Sequence, residues 1–127
     1  MSTEQNKAIV RQLIDEINGQ NISAINTMVS TQVAGEVKDS LAWIKSTWQD
    51  HHLEITDMIA EGDKVWCRLA SRGIHTGQWM GIAATGRHWT NSGIGFIQIS
   101  DGKIVAIEWF FDVLNHITQL GATIKTQ

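Results

Sequence analysis

The sequence has no proline, no tyrosine, a single cysteine and only 18% charged residues. Without proline, and with its 11 glycines dispersed, it shows no linker and no low-complexity segment. The 127 residues therefore read as one domain, 1–127, long enough to bury roughly two thirds of the unfolded surface. One cysteine, Cys67, excludes an internal disulfide and a cysteine-based zinc cluster, and its apolar neighbours mark it as an inert buried thiol. The 10 Lys and Arg are scattered singly in a chain of formal charge -3, so no basic stripe is available to neutralise phosphates and nucleic acid is not an expected partner. No run approaches the ~20 apolar residues of a membrane span, and MSTEQNK at the amino terminus lacks the apolar core of a signal peptide. The expected location is the cytoplasm, away from membranes.

What the chain does have is tryptophan. Six Trp and three Phe supply flat apolar area without phenol hydroxyls, which suits a core and equally a pocket for a flat ring. Ile9, Leu13, Ile14 and Ile17 recur at helical spacing behind a Ser2/Gln5 capping box, with Gly19 as the stop. A shorter helix is expected around Ser23–Val29, and a third from about Ser40 to Gln49 with Leu41, Ile44 and Trp48 on one face and Trp43 offset. After His52 the period changes. Segments 53–60, 64–75, 88–99 and 103–111 are rich in β-branched and aromatic residues and are separated by EGD, TG and SDG turns. A last short helix, Val113–Leu120, is closed by Gly121. Helices followed by strands imply an α+β fold, a cone in which amino-terminal helices pack on a strongly curved mixed or antiparallel sheet and enclose a pocket.

Two segments carry a family resemblance. GIHTGQWMGIAATGR (73–87) is similar to a glycine-x-histidine-threonine-glycine turn followed by threonine-glycine, and DGKIVAIEWFFDVLNHITQLG (101–121) to a closing strand and helix. Both are features of the SnoaL-like polyketide cyclases of the nuclear transport factor 2-like superfamily, which the chain resembles over nearly its whole length. The resemblance implies a cofactor-free intramolecular aldol condensation, with the aspartate ending the last strand, here Asp112, as acid–base group. A second polar position falls at Gln98, where the best-known members carry histidine. Ala84 replaces the usual proline, and the final-strand tryptophan lies one place along, at Trp109.

Strict alternation along 104–112 places Glu108, Phe110 and Asp112 on one face and Val105, Ile107, Trp109 and Phe111 on the other. If the first face lines the pocket, Phe110 desolvates Asp112, the condition for a general base. Asp112 is also a good N-cap for the helix behind it. Glu108 can equally be a solvated or salt-bridged strand residue. The second face then turns four apolar residues outward, which points to a homodimer through Val105, Ile107, Trp109 and Phe111. Trp43, Trp48 and Trp89 are candidates for the pocket wall as well as for the core, and His88 for a pocket role. His51 and His52, adjacent at a helix–strand junction, point in different directions, and with His75 they form no set at ligand spacing, so no metal is expected; that no cofactor is needed is what the resemblance implies. His75, in a turn, suits a structural hydrogen bond, and His116 reads as exposed. The expected function is acid–base catalysis on a small apolar or polyketide-like molecule. The alternatives are a hydroxylase or isomerase on the same scaffold, and a non-catalytic module binding a ligand or partner.

Overall fold

The computed structural model describes residues 2–123. In order, the elements are α1 (Thr3–Asn18), α2 (Ile22–Met28), α3 (Thr31–Thr47), β1 (Trp48–Glu61), β2 (Lys64–His75), β3 (His88–Ser100), β4 (Lys103–Phe111) and α4 (Val113–Gln119). The capping box at α1 forms: Ser2 Oγ accepts from Gln5 N–H at 3.1 Å, and Gln5 Oε1 accepts from Ser2 N–H at 2.9 Å. It aligns Val10, Leu13, Ile14 and Ile17 as one buried stripe.

Helix α3 begins nine residues before the expected Ser40. Ser30 caps it, and Val33, Val37, Leu41 and Ile44 form the buried face. Two valines and Gly35 are poor helix formers, but burial of that face outweighs their propensity. Trp48, expected on this helix, instead opens β1.

The four strands form an antiparallel meander in the order β1-β2-β3-β4, and α1 and α3 pack against it. One parallel bridge joins Val29, just after α2, to Ile104 of β4. The concave face carries Val65, Cys67 and Leu69 from β2 and Ile97 and Ile99 from β3.

Two register shifts decide which side chains reach the interior. In β4, Gln98 pairs with Ala106 but Ile99 with Ile104, so Val105 is the extra residue of a bulge. The bulge reverses parity along the rest of the strand. Ile104 is fully buried, and Ile107, Trp109 and Phe111 pack on the core, while Glu108 is exposed and Phe110 is 56% exposed. Strict alternation had put Glu108 and Phe110 inside and Ile107, Trp109 and Phe111 outside, and it fails because one inserted residue is half a pleat. Of two shifts in β1, one lies between Ile55 and Asp57, and the corresponding one falls between Gln49 and His52, where Asp50 and His51 together oppose the single residue Gly73. Asp50 takes a left-handed φ of 53° at this bulge.

Glycines on β3 make room for the aromatic residues of β4. A Cβ on Gly95 would stand 2.8 Å from the Trp109 ring, and one on Gly93 2.4 Å from that of Phe111. Both rings can therefore lie against the β3 backbone.

Candidate functional site

An apolar cavity of about 170 Å³ lies between α3 and the concave face of the sheet. Leu41 and Ile44 of α3, Leu53 of β1, and Trp109 and Phe111 of β4 form its walls, with Trp43 partly exposed at its rim. The volume matches a single aromatic ring. One titratable side chain, His51, is on the wall. With Trp48 buried, regular alternation would turn His51 outward. The bulge at Asp50 brings His51 onto the same side as Leu53. Burial, and secondarily the charge of adjacent His52, lowers its pKa to about 4, so the imidazole is neutral near pH 7 and can both accept and donate a hydrogen bond.

Behind Trp43 and His51 is a second buried cluster. Trp43 meets Trp48 edge-on with ring centroids 5.8 Å apart, and His51 faces Trp89 at 6.0 Å. Trp48 and Trp89 in turn enclose His116, at 4.7 and 4.0 Å, and Trp79 closes over it at 4.5 Å. Burial, with like charge from His75 and His51, lowers the His116 pKa to about 4. His116 is therefore not the exposed helix residue that was expected. Leu120, four residues on, was the available sign that His116 shares a buried helix face.

The glycine-x-histidine-threonine-glycine segment works as a clasp. His75 is fully buried, its Nδ1 accepts from Thr85 N–H at 3.2 Å, and Thr85 Oγ1 lies 3.0 Å from the same nitrogen. Backbone bonds from His75 N–H to the Arg87 carbonyl and from Gly86 N–H to the His75 carbonyl complete it. The clasp ties the 76–87 loop, which carries Trp79, to the end of β2. Gly77 is required because a Cβ there would stand 2.0 Å from the Ser46 carbonyl oxygen.

The expected site residues are dispersed. Trp43 borders the cavity, and Trp48 and Trp89 belong to the cluster behind it. His88 is exposed in an open groove with Asp50, Arg72 and Gln119. Gln98 donates to Asp63 Oδ2 at 2.8 Å near the β2–β3 end of the sheet and lines none of these cavities. Asp112 is exposed and caps α4, its Oδ1 accepting from Asn115 N–H at 3.0 Å and its carbonyl from Asn91 Nδ2 at 3.1 Å. His51 was weighed only as a metal ligand, because its inward direction depends on a bulge. Among the described residues, no three His, Cys, Asp or Glu side chains are placed to hold a metal ion.

A four-stranded meander over helices, enclosing an apolar cavity with few polar groups, defines a nuclear transport factor 2-like α+β cone. The chain belongs to the SnoaL-like polyketide cyclase family, whose description it matches over residues 7–120. It is 35% identical over 83 residues to aklanonic acid methyl ester cyclase DnrD of Streptomyces peucetius, covering 65% of this chain and 57% of that protein. A similar cyclase of Streptomyces galilaeus, AcmA, is 35% identical over 66 residues, 51% of this chain and 46% of its own length. The matched segments thus span about half the length of these curated relatives. Among solved structures, TsrD from Streptomyces laurentii superposes with a TM-score of 0.88 at 21% identity, covering 97% of this chain and 99% of that one. A SnoaL-like polyketide cyclase from Agrobacterium tumefaciens gives 0.82 at 19%, covering 95% and 100%. No helix among the described residues is long and apolar enough to cross a membrane.

Proposed function

We propose that the protein is a cofactor-independent cyclase that closes a ring by intramolecular aldol condensation in a small, flat, polyketide-like molecule held in the α3–sheet cavity. The observation that carries this reading is the cavity itself, an aromatic slot one ring deep with a single neutral imidazole, His51, on its wall. His51 takes the proton from a carbon flanked by carbonyls. The enolate carbon then attacks the second carbonyl carbon, forming the C–C bond, and the new alkoxide recovers the proton from the imidazolium. Protons balance and no redox partner is needed. A low pKa weakens the imidazole as a base, but the developing enolate beside it favours the imidazolium and offsets part of that loss.

Asp112, the acid–base position implied by the resemblance, acts in this reading through α4, whose N-terminus it caps. Aklanonic acid methyl ester, the compound named for the curated relatives, is the first substrate to test, by following its consumption and the ring-closed product chromatographically. His51→Gln should lower turnover at least ~100-fold, whereas Asp112→Asn, which still caps, should stay within about threefold. The opposite pattern would return the acid–base role to Asp112. Binding without turnover in the wild type would make the domain a binding module.

We further propose a homodimer through the outer face of the sheet. The bulge in β4 turns Phe110 onto this face in place of the expected Ile107, Trp109 and Phe111, beside Trp66 of β2 and Ile94 of β3, all 44% exposed or more, and Trp66 packs on Phe96 at 4.8 Å. Arg68 and Glu108 are exposed on the strands that carry these residues. A twofold axis lets each pair with the other's counterpart in the second copy.

A further inference from the structure

The cluster behind His51 contains buried polar atoms with no protein partner. Trp48 Nε1, Trp89 Nε1, His75 Nε2 and His116 Nε2 are all sequestered, and none has a hydrogen-bond partner among the described residues. Their residues are 3%, 4%, 0% and 6% exposed. An indole N–H can only donate. The His75 tautomer is also fixed, because Nδ1 accepts from the Thr85 backbone N–H, which leaves the hydrogen of the neutral ring on Nε2. Three of the four orphans are therefore donors in search of an acceptor. Such groups are rare inside proteins, because each gives up hydrogen bonds to water without replacement.

The donors are next to the cavity. Trp48 touches Trp43 at the cavity rim, and Trp89 faces His51 on its wall. Trp48 also packs on Trp89 at 4.9 Å and on His75 at 5.3 Å, so all three donor rings belong to one contact group. The outer cover comes from two segments. It consists of His116 and Leu120 from the α4 end and of Trp79 and Ile82 from the 76–87 loop. Polar side-chain bonds hold that α4 end in place, including Arg87 Nη1 to the Gln119 carbonyl and Thr90 N–H to Gln119 Oε1.

We infer that Trp48, Trp89 and His75, which adjoin the cavity through Trp43 and His51, form a subsite of N–H donors that binds a carbonyl or enolate oxygen of the ligand. The inference rests on the cavity being the ligand site and deepens that reading. A ligand larger than one ring extends past Trp43 and His51 into the cluster, where a carbonyl oxygen supplies the acceptor that the donors lack. A purely hydrocarbon ligand can fill the cavity but cannot answer the donors. The subsite thus selects oxygenated rings over hydrocarbon ones of the same shape.

The test uses the full chain labelled with 15N, and titrates the indole N–H signals with benzoylacetone, an aromatic 1,3-diketone, and with butylbenzene, its hydrocarbon counterpart. Benzoylacetone should move the Trp48 and Trp89 signals downfield, while butylbenzene should leave them within the shift caused by ring contact elsewhere in the cavity. Trp48→Phe and Trp89→Phe keep an aromatic ring and delete the donor. Each should weaken benzoylacetone by about three- to tenfold, the size of one neutral hydrogen bond, without changing butylbenzene affinity. Unmoved indole signals at saturating diketone, equal losses for both probes, or no diketone binding would overturn the subsite, the first of these meaning that structural water alone occupies it. The wider reading is judged separately: His51→Gln abolishing turnover while the indole signals stay still sinks the subsite alone. Shifted indoles with undiminished His51→Gln turnover sink the proposed catalysis alone.

Discussion

Mild acid should destabilise this protein through two buried histidines. The perturbation is a change from pH 7.5 to 5.5, and the responsible groups are His51 and His116. Both have a pKa of about 4 in the folded chain against an ordinary 6.5, the main cause in each being burial. A depressed folded pKa means that the unfolded chain binds more protons between these values. The histidines' contribution to stability is therefore complete above about 6.5 and is lost as the pH falls toward 4. Linkage gives about 1.4 kcal/mol per histidine at pH 5.5. His51 is only partly buried on its cavity wall, so half that value is the better figure for it. The expected loss is about 2 kcal/mol, which lowers the urea midpoint by roughly 0.7–2 M. His116→Phe keeps a ring between Trp48 and Trp89 but cannot be protonated, so it should remove more than half of the pH difference. Urea unfolding followed by tryptophan fluorescence at the two pH values measures all of this. Equal midpoints in the wild type, or an undiminished pH difference in His116→Phe, would refute the argument that the buried histidine cluster is held neutral.

Gly95→Val should destabilise by about 1–3 kcal/mol, because its Cβ meets the Trp109 ring at 2.8 Å and the Cys67 sulfur at 3.0 Å; thermal melting reads this directly, and an unchanged Tm would show that Trp109 does not lie against β3. Asp112→Ala should cost about 1 kcal/mol as a lost helix cap, and Asp112→Asn almost nothing, in the same denaturation assay. Asp50→Gly should be tolerated because φ is 53° there. Asp50→Val, by opposing the left-handed backbone of the bulge, should lower turnover on aklanonic acid methyl ester together with stability. On the outer sheet face, Trp66→Lys should convert a dimer into a monomer in sedimentation at micromolar concentration; a wild-type monomer there would remove the dimer altogether.

The sequence by itself determined the order and type of the elements. Helical spacing of Ile9, Leu13, Ile14 and Ile17, β-branched runs broken by EGD and SDG, and the Ser2 box are local signals; the strands lie within a few residues of where these signals place them, and on α1 Val10 rather than Ile9 completes the buried stripe. The GIHTG segment and the closing strand and helix were legible as family features, and their role as a clasp follows from His75 bonding Thr85 ten residues away. What only the tertiary structure decided is which side chains face inward. A strand's alternation is a reliable guide until one residue is inserted, and the bulges at Val105 and at Asp50–His51 are set by pairing with β3 and β2 rather than by any local preference. They turn Phe110 out, and Trp109, Phe111 and His51 in. The buried histidine–tryptophan cluster is equally a product of assembly, because Trp48, His75, Trp89 and His116 come from four separate elements. The lowered pKa of His116 and the unanswered donors of Trp48, His75 and Trp89 depend on a burial that exists only once β1, β2, β3 and α4 have come together.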